Sequence, residues 1–461
     1  MNYYDVSPRI VPAGRVSEIR IRPRYRHALF PEKEQMNGVC NPFDGLMPDG
    51  SYNEFSWDSS NGPQTEWFFE GDTLIVRYEF AGEQEHNLRV IIRDKKNPDS
   101  ISVKAFRIYS LNPDLYALRP LRGDFHIHTT GSDGLEHASY VVARYRQKGF
   151  DFAAVTDHGN YKPSVEAIEY WKPLDLDFRL YPGEEVHAKD NPVHIINFGG
   201  KRSVNDMWRD NTVQYEKEVT EILKSIPEKT AHVNFFAVAS SEWVFRKIRE
   251  VGGLSVFCHP YWSVTQNVID EGITSEIFRR RKFDAFEVLG GSFRNQTETN
   301  NYQVVRYYEE MAKGNHFPVV GVSDSHGTDH FDFSGGIINS HIGMKYVDSK
   351  DADLFGWYFT VVLAKENTAE AIIDGIRNYR SCAVSQIAGE TLRVYGSFRL
   401  TKYVNFLLRE YFPLHDNLCA EEGALMLDYL AGDSKAGEAL KLLKGRTLQY
   451  QEESFRNAAV K

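Results

Sequence analysis

Cysteine is scarce and scattered in this chain of 461 residues. The four cysteines, Cys40, Cys258, Cys382 and Cys419, form no CxxC pair. A disulfide framework or a zinc knuckle needs paired or closely spaced cysteines. The sequence therefore predicts reduced cysteines that pack in the interior of a cytoplasmic protein.

Long apolar runs and an excess of positive charge are also missing. No run approaches the roughly 20 apolar residues of a membrane span, and residues 1–6 have neither the basic nor the apolar part of a signal peptide. The net charge is −10, which argues against an extended nucleic-acid surface because phosphate backbones are bound by clustered Lys and Arg. A small phosphorylated substrate is still compatible with this negative net charge, because a few positively charged side chains near the site can bind a phosphate.

The first 118 residues have the pattern of a β-rich domain. Residues 16–22, 73–78 and 87–92 alternate polar and apolar side chains, and clusters of Gly, Pro, Asn and Asp separate such runs. Short alternating strands with this punctuation are typical of an antiparallel sandwich. The sequence predicts a sandwich-like domain over residues 1–118.

From residue 119 the pattern changes to strands that alternate with helices. Buried parallel strands are predicted over residues 150–156, 178–181, 254–258, 283–289 and 317–322. Helices are predicted between them over residues 137–148, 212–224, 241–250 and 302–313. This alternation predicts an α/β fold over residues 119–390, and residues 391–461 are predicted to form a helical appendage.

Histidines and carboxylates recur in seven short clusters, most of which directly follow a strand-like run. The nine candidate metal ligands are His126, His128, Asp133, His158, Glu185, His194, His259, Asp324 and His326. In parallel barrels the functional side chains lie at the C-terminal ends of the strands. Core packing explains a lone histidine well, but it explains this series poorly.

The spacing of two pairs fits shared coordination of a cation. Residues at i and i+2 of a strand point to the same side, so His126 projects with His128, and Asp324 projects with His326. Imidazole suits Zn, Fe and Mn, and carboxylates bridge two such ions. Nine ligands exceed the needs of one tetrahedral ion, so the sequence predicts two or three divalent transition metal ions (Zn, Mn or Fe).

The complete set of motifs resembles the PHP (polymerase and histidinol phosphatase) superfamily of metal-dependent hydrolases. The motifs are Asp124-Phe125-His126-Ile127-His128-Thr129, Ser132-Asp133-Gly134, Val155-Thr156-Asp157-His158, Tyr181-Pro182-Gly183-Glu184-Glu185, Val193-His194-Ile195, Cys258-His259-Pro260 and Ser323-Asp324-Ser325-His326. The resemblance covers about residues 120–385, and residues 368–384 are also similar to a subgroup with carbamate and ester hydrolases. It implies a distorted seven-stranded β/α barrel of the PHP type.

The resemblance also implies how the ligands divide among the ions. One ion would be held by His126, His128, Glu185 and Asp324, a second by Glu185, His194 and His259, and a third by Asp133, His158 and His326. Glu185 would bridge the first two ions. Glu185, Asp324 and His326 are accordingly predicted as catalytic residues.

Several neighbouring residues have open assignments. Glu184 competes with Glu185 for the bridging role, and it is predicted to point away to a hydrogen-bonding partner. His187, Trp262 and Arg294 are predicted to contact substrate, although a plain surface role also fits His187 and Arg294. Asp157 is predicted to make structural hydrogen bonds.

Hydrolysis by a metal-bound hydroxide is the predicted function, because no Ser or Cys has a matched base nearby in the motifs. The preferred substrate is a small phosphate ester, and the alternative is a carboxyl ester, carbamate or amide on the same metal site. A third hypothesis is a carbohydrate- or protein-binding module in the N-terminal domain. The sequence leaves the native metal, the physiological substrate and the oligomeric state open.

Overall fold

The computed structural model describes residues 3–456, apart from residues 59, 98, 228, 230, 264–265, 291–298, 328–354 and 388. The chain divides into two compact units. The first comprises Met1–Arg119, Lys402–His415 and Gly445–Lys461, and the second comprises Pro120–Thr401 and Asp416–Lys444.

The first unit contains two four-stranded sheets. Its strands are β1 (Tyr4–Ser7), β2 (Ile10–Pro12), β3 (Val16–Pro23), β4 (Met36–Pro42), β5 (Glu66–Glu70), β6 (Thr73–Glu79), β7 (Gln84–Arg93) and β8 (Ile101–Leu111). One sheet has the order β1-β3-β6-β5, and the other has the order β2-β8-β7-β4. Both sheets contribute side chains to one core, which includes Ile19, Val76, Leu88 and Ile108.

Period-two burial explains why these segments form strands. Along β3 the buried residues are Ser17, Ile19 and Ile21, while Glu18 and Arg20 face outward. One face of such a strand packs on the core and the other meets water. The strands predicted at residues 16–22, 73–78 and 87–92 are confirmed as β3, β6 and β7.

The second unit contains a six-stranded and a five-stranded sheet. Its strands are β9 (Arg119–Asp124), β10 (Phe152–Ala153), β11 (Arg179–Leu180), β12 (Gly183–Val186), β13 (Ile195–Phe198), β14 (Leu254–Phe257), β15 (Ala285–Leu289), β16 (Val319–Gly321), β17 (Tyr358–Ala364), β18 (Ser381–Ser385) and β19 (Arg393–Tyr395). The orders are β11-β10-β9-β17-β18-β19 and β12-β13-β14-β15-β16.

These sheets are mixed rather than parallel throughout. Strands β9, β10 and β11 are parallel neighbours, as are β14, β15 and β16. Strand β13 is antiparallel to both β12 and β14. Only residues 187–194 join β12 to β13, which is too short for a parallel crossover. The prediction of an α/β fold is confirmed, and the five strands predicted as parallel, β10, β11, β14, β15 and β16, each have a parallel neighbour. The sheets also contain antiparallel pairs, so they are not parallel throughout.

Helices follow most strands of the second unit and dominate the C-terminal part. They are α1 (Pro113–Tyr116), α2 (Ala138–Gln147), α3 (Lys162–Trp171), α4 (Val204–Asp210), α5 (Thr212–Ser225), α6 (Phe235–Glu250), α7 (Glu271–Arg280), α8 (Thr299–Ala312), α9 (Ala369–Arg377), α10 (Phe398–Glu410), α11 (Phe412–Leu430), α12 (Ser434–Leu443) and α13 (Arg446–Phe455).

Helix α6 begins earlier than the sequence pattern predicted. The Asn234 side chain accepts a hydrogen bond from the Ala237 amide and caps the helix. Asparagine is a preferred residue at this position because it satisfies a free amide of the first turn. The predicted start at residue 241 missed this cap.

The C-terminal helices divide between the two units. In the first unit, Arg409 on α10 forms an ion pair with Glu85 at 2.6 Å. In the second, Glu422 on α11 accepts from the buried Arg146 on α2 at 2.6 Å. The division into three domains at residues 118 and 390 stays a prediction.

Candidate metal centre

Seven strand ends and turns of the second unit carry the nine predicted ligands. His126 and His128 follow β9, and His158 lies beyond β10, where it forms a parallel bridge with Glu185. Glu185 lies in β12, and His194 directly precedes β13. The remaining ligands lie after β14, after β16 and in the turn before α2; they are His259, Asp324, His326 and Asp133.

One oxygen of Glu185 faces two of the histidines. Glu185 Oε1 lies 2.8 Å from His194 Nδ1 and 3.6 Å from His259 Nε2. The Glu185 side chain is fully buried. Its Oε1 atom and these two imidazoles therefore form one half of the centre.

The other oxygen of Glu185 faces a different group. Glu185 Oε2 lies 2.5 Å from His158 Nδ1, 3.5 Å from His128 Nε2 and 3.6 Å from His126 Nε2. His187 Nε2 is also 3.6 Å from this oxygen. A carboxylate with each oxygen directed at a different set of imidazoles has the arrangement of a bridging ligand.

Asp324, which lies after β16, faces His126 and His128, the two histidines that follow β9. Its Oδ1 atom lies 3.0 Å from His128 Nε2 and 3.2 Å from His126 Nε2. Asp324 lies outside β16 and has a left-handed backbone, with φ at 52°. A non-glycine residue in this conformation is strained and is found preferentially at functional sites.

Asp133 lies at the exposed side of the centre. Its Oδ1 atom is 3.4 Å from His326 Nε2 and 3.5 Å from His158 Nε2. The Asp133 side chain is 58% exposed, whereas the carboxylates of Glu185 and Asp324 are 0% and 11% exposed. The centre is therefore open to solvent at Asp133.

Several sets of side chains in the described ranges bring their ligand atoms within 4.8 Å of one another. The sets are His128, Asp133, His158 and His326; His158, Glu185, His187 and His194; His126, His128 and Glu185; His126, His259 and Asp324; and His126, Cys258 and Glu287. Together the first four sets contain all nine predicted ligands.

The donor atoms at the centre fit divalent transition metals. His126 Nε2, His128 Nε2, His194 Nδ1 and both carboxylate oxygens of Glu185 are buried and have no hydrogen-bond partner within the described part of the chain. Buried polar atoms normally have partners. Convergent imidazole nitrogens and carboxylate oxygens are the ligands that Zn, Mn and Fe prefer.

The electrostatics of the centre keep its carboxylates charged. Burial opposes ionisation of Glu185, but His158, His194 and His126 outweigh it and hold the pKa of Glu185 well below its usual range. Burial also opposes protonation of His158, but Glu185 and Asp133 outweigh it and raise the pKa of His158 to about 11. Anionic oxygens among imidazoles are suited to bind cations.

Two imidazoles are instead kept neutral. Burial lowers the pKa of His128 to about 3 and that of His194 to about 4. A neutral imidazole has a free lone pair and can serve as a metal ligand. Protons bound at His158 must be released for that residue to act in the same way.

Glu184 points away from the centre and holds the loop before α4. It accepts hydrogen bonds from the Ser203 hydroxyl at 2.8 Å and the Asn205 side chain at 2.8 Å. The Val204 amide donates to it at 2.5 Å. Of the two adjacent glutamates, only Glu185 lies among the histidines, in agreement with the sequence prediction.

Asp157 anchors the turn that carries Asp133. It accepts from the Thr129 amide at 2.7 Å, the Thr129 hydroxyl at 2.6 Å and the Ser132 hydroxyl at 2.6 Å. The structural hydrogen bonding predicted for Asp157 is therefore present.

Sequence reasoning missed two supporting side chains. Glu287 Oε2 lies 2.8 Å from His126 Nδ1, and both side chains are fully buried. The Tyr145 hydroxyl lies 2.9 Å from Asp124 Oδ2 and 2.7 Å from each of the Ser323 and Ser325 hydroxyls. The one sequence signal for Glu287 was an acidic residue inside an otherwise apolar strand.

The predicted substrate contacts have different outcomes. His187 Nε2 lies 2.9 Å from His158 Nδ1, so it joins the ligand cluster itself. Trp262 is half-buried, and its ring centroid lies 6.0 Å from those of His194 and His259. Arg294 lies outside the described residues.

Comparison with curated proteins gives one partial similarity. No protein-family model matches the chain. The chain is 27% identical over 112 residues to the DNA polymerase/3'-5' exonuclease PolX of Bacillus subtilis strain 168. The matched segment is 24% of this chain and 18% of PolX. The chain thus spans less than a fifth of the length of this curated relative.

The chain is also similar to the solved structures of three proteins. A two-domain protein of Bacteroides vulgatus ATCC 8482, described as containing a predicted PHP-like metal-dependent phosphoesterase, is 19% identical with a TM-score of 0.36, over 59% of this chain and 66% of that one. A proposed metal-dependent phosphoesterase of Bifidobacterium adolescentis ATCC 15703 is 20% identical with a TM-score of 0.30, over 44% of this chain and 87% of that one. An amidohydrolase of Chromobacterium violaceum, solved with sulfate and no metal, is 15% identical with a TM-score of 0.30 over the same shares.

The motifs of this chain resemble the PHP superfamily, and one of the three solved structures is described as containing a PHP-like domain. All three TM-scores lie below 0.5, so the similarity to these structures carries no functional conclusion. Within the described ranges, every helix is too short or too polar to cross a membrane.

Proposed function

We propose that the second unit is a metal-dependent hydrolase that acts on a small phosphate ester. The observation that carries the proposal is the position of Glu185, whose two oxygens face two different sets of imidazoles. This geometry suits a carboxylate shared by two ions. Two or three divalent ions, Zn, Mn or Fe, would occupy the centre.

The ligand sets are those implied by the resemblance, and the third lies wholly within one set of convergent atoms. The first ion would be held by His126, His128, Glu185 and Asp324, the second by Glu185, His194 and His259, and the third by Asp133, His158 and His326. When bound, such ions lower the pKa of water and stabilise the charge that develops on an ester oxygen.

The residues of the chain then have distinct tasks. Glu185 and Asp324 hold their negative charge in a buried site, where it costs most, and so fix the cations in place. Asp133, which is 58% exposed and lies 3.4 Å from the buried His326, forms the more exposed side, where a substrate can approach. We assign Glu185, Asp324 and His326 as catalytic residues on this basis.

Substrate contacts are proposed at the rim of the centre. His187 is 35% exposed on the same side as Glu185 Oε2, and Trp262 offers a half-buried ring beside His194. Arg294 is proposed to pair with a phosphate, because guanidinium matches phosphate in a bidentate manner.

The proposal includes two finer statements about the fold. The strands of the second unit would form a distorted seven-stranded barrel, supported by hydrogen bonds between Gly321 in β16 and Thr360 in β17. The two sheets of the first unit would form a sandwich, supported by their common core.

A hydrolysis panel tests the substrate class. Metal-free protein is reconstituted separately with Zn, Mn and Fe(II) and assayed on phosphomonoesters, phosphodiesters, carboxyl esters, carbamates and single-stranded DNA. We expect turnover of a phosphate ester that needs metal and is lost in His259→Ala. The exposed His316 provides the control: His316→Ala is expected to retain activity.

The outcomes of the panel separate the alternatives. Activity on carboxyl esters or carbamates alone would keep the metal site and move the substrate to the alternative class. No metal-dependent hydrolysis of any substrate in the panel would contradict the proposal. Single turnover in oxygen-18 water is expected to place solvent oxygen in the product, and a covalent phosphoryl-enzyme would contradict the direct attack of water.

A further inference from the structure

Glu287 is a fully buried carboxylate in the middle of the apolar strand β15. Phe286 and Val288 on either side of it pack into the hydrophobic core. Its Oε2 atom lies 2.8 Å from His126 Nδ1, and its Oε1 atom has no hydrogen-bond partner among the described residues. A buried carboxylate with one unpartnered oxygen costs stability, so packing does not explain this residue.

Two local features direct Glu287 toward His126. The register of β15 with β16 shifts between Glu287 and Leu289, and irregularities of this kind re-aim side chains near functional sites. Gly290 then leaves space for the carboxylate, because a Cβ atom at this position would overlap Glu287 Oε1. The Gln303 side chain donates to the Glu287 carbonyl at 3.2 Å and ties the strand to α8.

We propose that Glu287 is a positioning residue that holds His126 in the tautomer with Nε2 free to bind a divalent metal ion. The inference rests on the proposed function, since it requires a metal at the centre. A neutral imidazole carries one proton, and a carboxylate at Nδ1 keeps that proton on Nδ1. The lone pair is then on Nε2, which lies 3.2 Å from Asp324 Oδ1 and 3.6 Å from Glu185 Oε2.

The same contact strengthens His126 as a ligand. A hydrogen bond from the distal nitrogen to a carboxylate fixes the ring orientation and increases the basicity of the ligating nitrogen. His126 is directed by its hydrogen bond with Glu287 at one ring nitrogen, and its other nitrogen faces the centre.

Cys258 also lies beside His126 and Glu287. Its Sγ atom donates to the Val256 carbonyl at 3.4 Å.

Metal titration of matched variants tests the proposal. Wild-type protein, Glu287→Gln and Glu310→Gln are freed of metal and titrated with Zn²⁺ and Mn²⁺ against a chromophoric chelator. Glu310 is also buried, but it pairs with Arg306 and Asn315 and is not in the centre. We expect Glu287→Gln to bind its tightest ion roughly 10- to 100-fold more weakly, and Glu310→Gln to bind as wild type does.

A second variant keeps the carboxylate but moves it. Gly290→Ala is expected to weaken metal binding in the same direction, because the new methyl group displaces Glu287. In zinc-loaded wild-type protein, ¹⁵N spectra of labelled histidine are expected to show His126 protonated at Nδ1, with the signal assigned by its loss in His126→Gln.

The outcomes distinguish this inference from the proposed function. Wild-type protein that takes up no metal would overturn both. Normal binding by wild type together with unchanged affinity in Glu287→Gln would overturn the positioning role alone. If Glu287→Gln does not fold, either of two other results would overturn the positioning role. These results are an unchanged metal affinity in Gly290→Ala and a His126 that is protonated at Nε2 in zinc-loaded wild-type protein.

Discussion

Asp324 Oδ1 lies 3.0 Å from His128 Nε2, although the backbone of Asp324 is left-handed, with φ at 52°. The conformation turns the carboxylate from the end of β16 into the centre. Hydrogen bonds around it hold this turn: the Ser323 amide donates to Asp124, and the His128 amide donates to the Ser325 carbonyl. Strain at Asp324 is thus maintained by the surrounding backbone, as expected at a functional site.

Two substitutions of Asp324 are predicted to separate the effect of losing its carboxylate on activity from the effect of its left-handed backbone on stability. Asn tolerates the left-handed conformation, whereas Ala is penalised by about 1–2 kcal/mol. We expect Asp324→Asn to lower kcat/KM by roughly 100-fold or more, with an unchanged thermal midpoint in the metal-free protein. Asp324→Ala should lose the same activity and some stability in addition. Substantial turnover in metal-loaded Asp324→Asn would show that this carboxylate is misassigned.

Removal of His128 is predicted to abolish turnover while the fold persists. Its Nε2 atom faces both Glu185 and Asp324, so His128→Ala removes a proposed metal ligand that lies beside both carboxylates. Activity and near-ultraviolet circular dichroism are compared with those of His316→Ala after metal loading. Full activity in His128→Ala would contradict the assignment.

Tyr145→Phe is predicted to weaken the support of the Asp324 turn. The lost hydroxyl is buried and contacts Asp124, Ser323 and Ser325, so unfolding should become easier by about 1–3 kcal/mol and kcat should fall. Tyr215 is the matched control, because its buried hydroxyl contacts Ser240 and the Lys189 carbonyl instead. Equal kcat values for the two variants would show that Tyr145 has no specific effect on the centre.

The stability of the first unit is predicted to fall in acid because of His86. Burial lowers the pKa of His86 to about 3, while an unfolded histidine titrates near 6.5. Between pH 6.5 and about 3 the unfolded chain takes up a proton that the folded chain does not, so acid favours unfolding by up to about 1.4 kcal/mol per pH unit. Hydrogen exchange of β8 peptides between pH 7 and 5 measures this effect. His86→Gln, which keeps a donor for Ser110, should show a flatter dependence, and identical slopes would contradict the prediction.

The sequence predicted regular elements wherever burial is periodic. Strand β3 alternates Ser17, Ile19 and Ile21 toward the core, and the helix predicted at residues 212–224 matches α5. Such segments are determined by local side-chain pattern. The strand predicted at residues 150–156 is only Phe152–Ala153, and beyond it the chain has no regular pairing until His158 forms an isolated parallel bridge with Glu185.

The sequence predicted which residues would form the candidate centre. It predicted less well how their side chains are placed. Asp324 and His326 both face the centre, as predicted. The prediction relied on the alternation of side chains along a strand, but Asp324 lies beyond β16 and has a left-handed backbone, so strand alternation does not place its side chain. Glu287 contacts His126 across 161 positions of sequence, and no local pattern marks such a pair. Tyr145 was likewise hidden, since a buried aromatic residue on α2 is typical of ordinary core packing.

Metal binding is predicted to stabilise the second unit. A ligand that binds only the folded state raises stability by about 2.7 kcal/mol at 100 times its dissociation constant. Addition of Zn²⁺ or Mn²⁺ to metal-free protein should therefore raise the thermal midpoint, and a chelator should reverse the change. Glu185→Gln should show a smaller response, because its carboxylate lies between the two sets of imidazoles.

The most direct test of the metal centre is a count of bound metal in protein purified without chelator and reconstituted separately with Zn, Mn and Fe(II). Elemental analysis is expected to find two or three equivalents per chain, because the nine ligands converge in several overlapping sets. Fewer than one equivalent with every one of these metals would contradict the account.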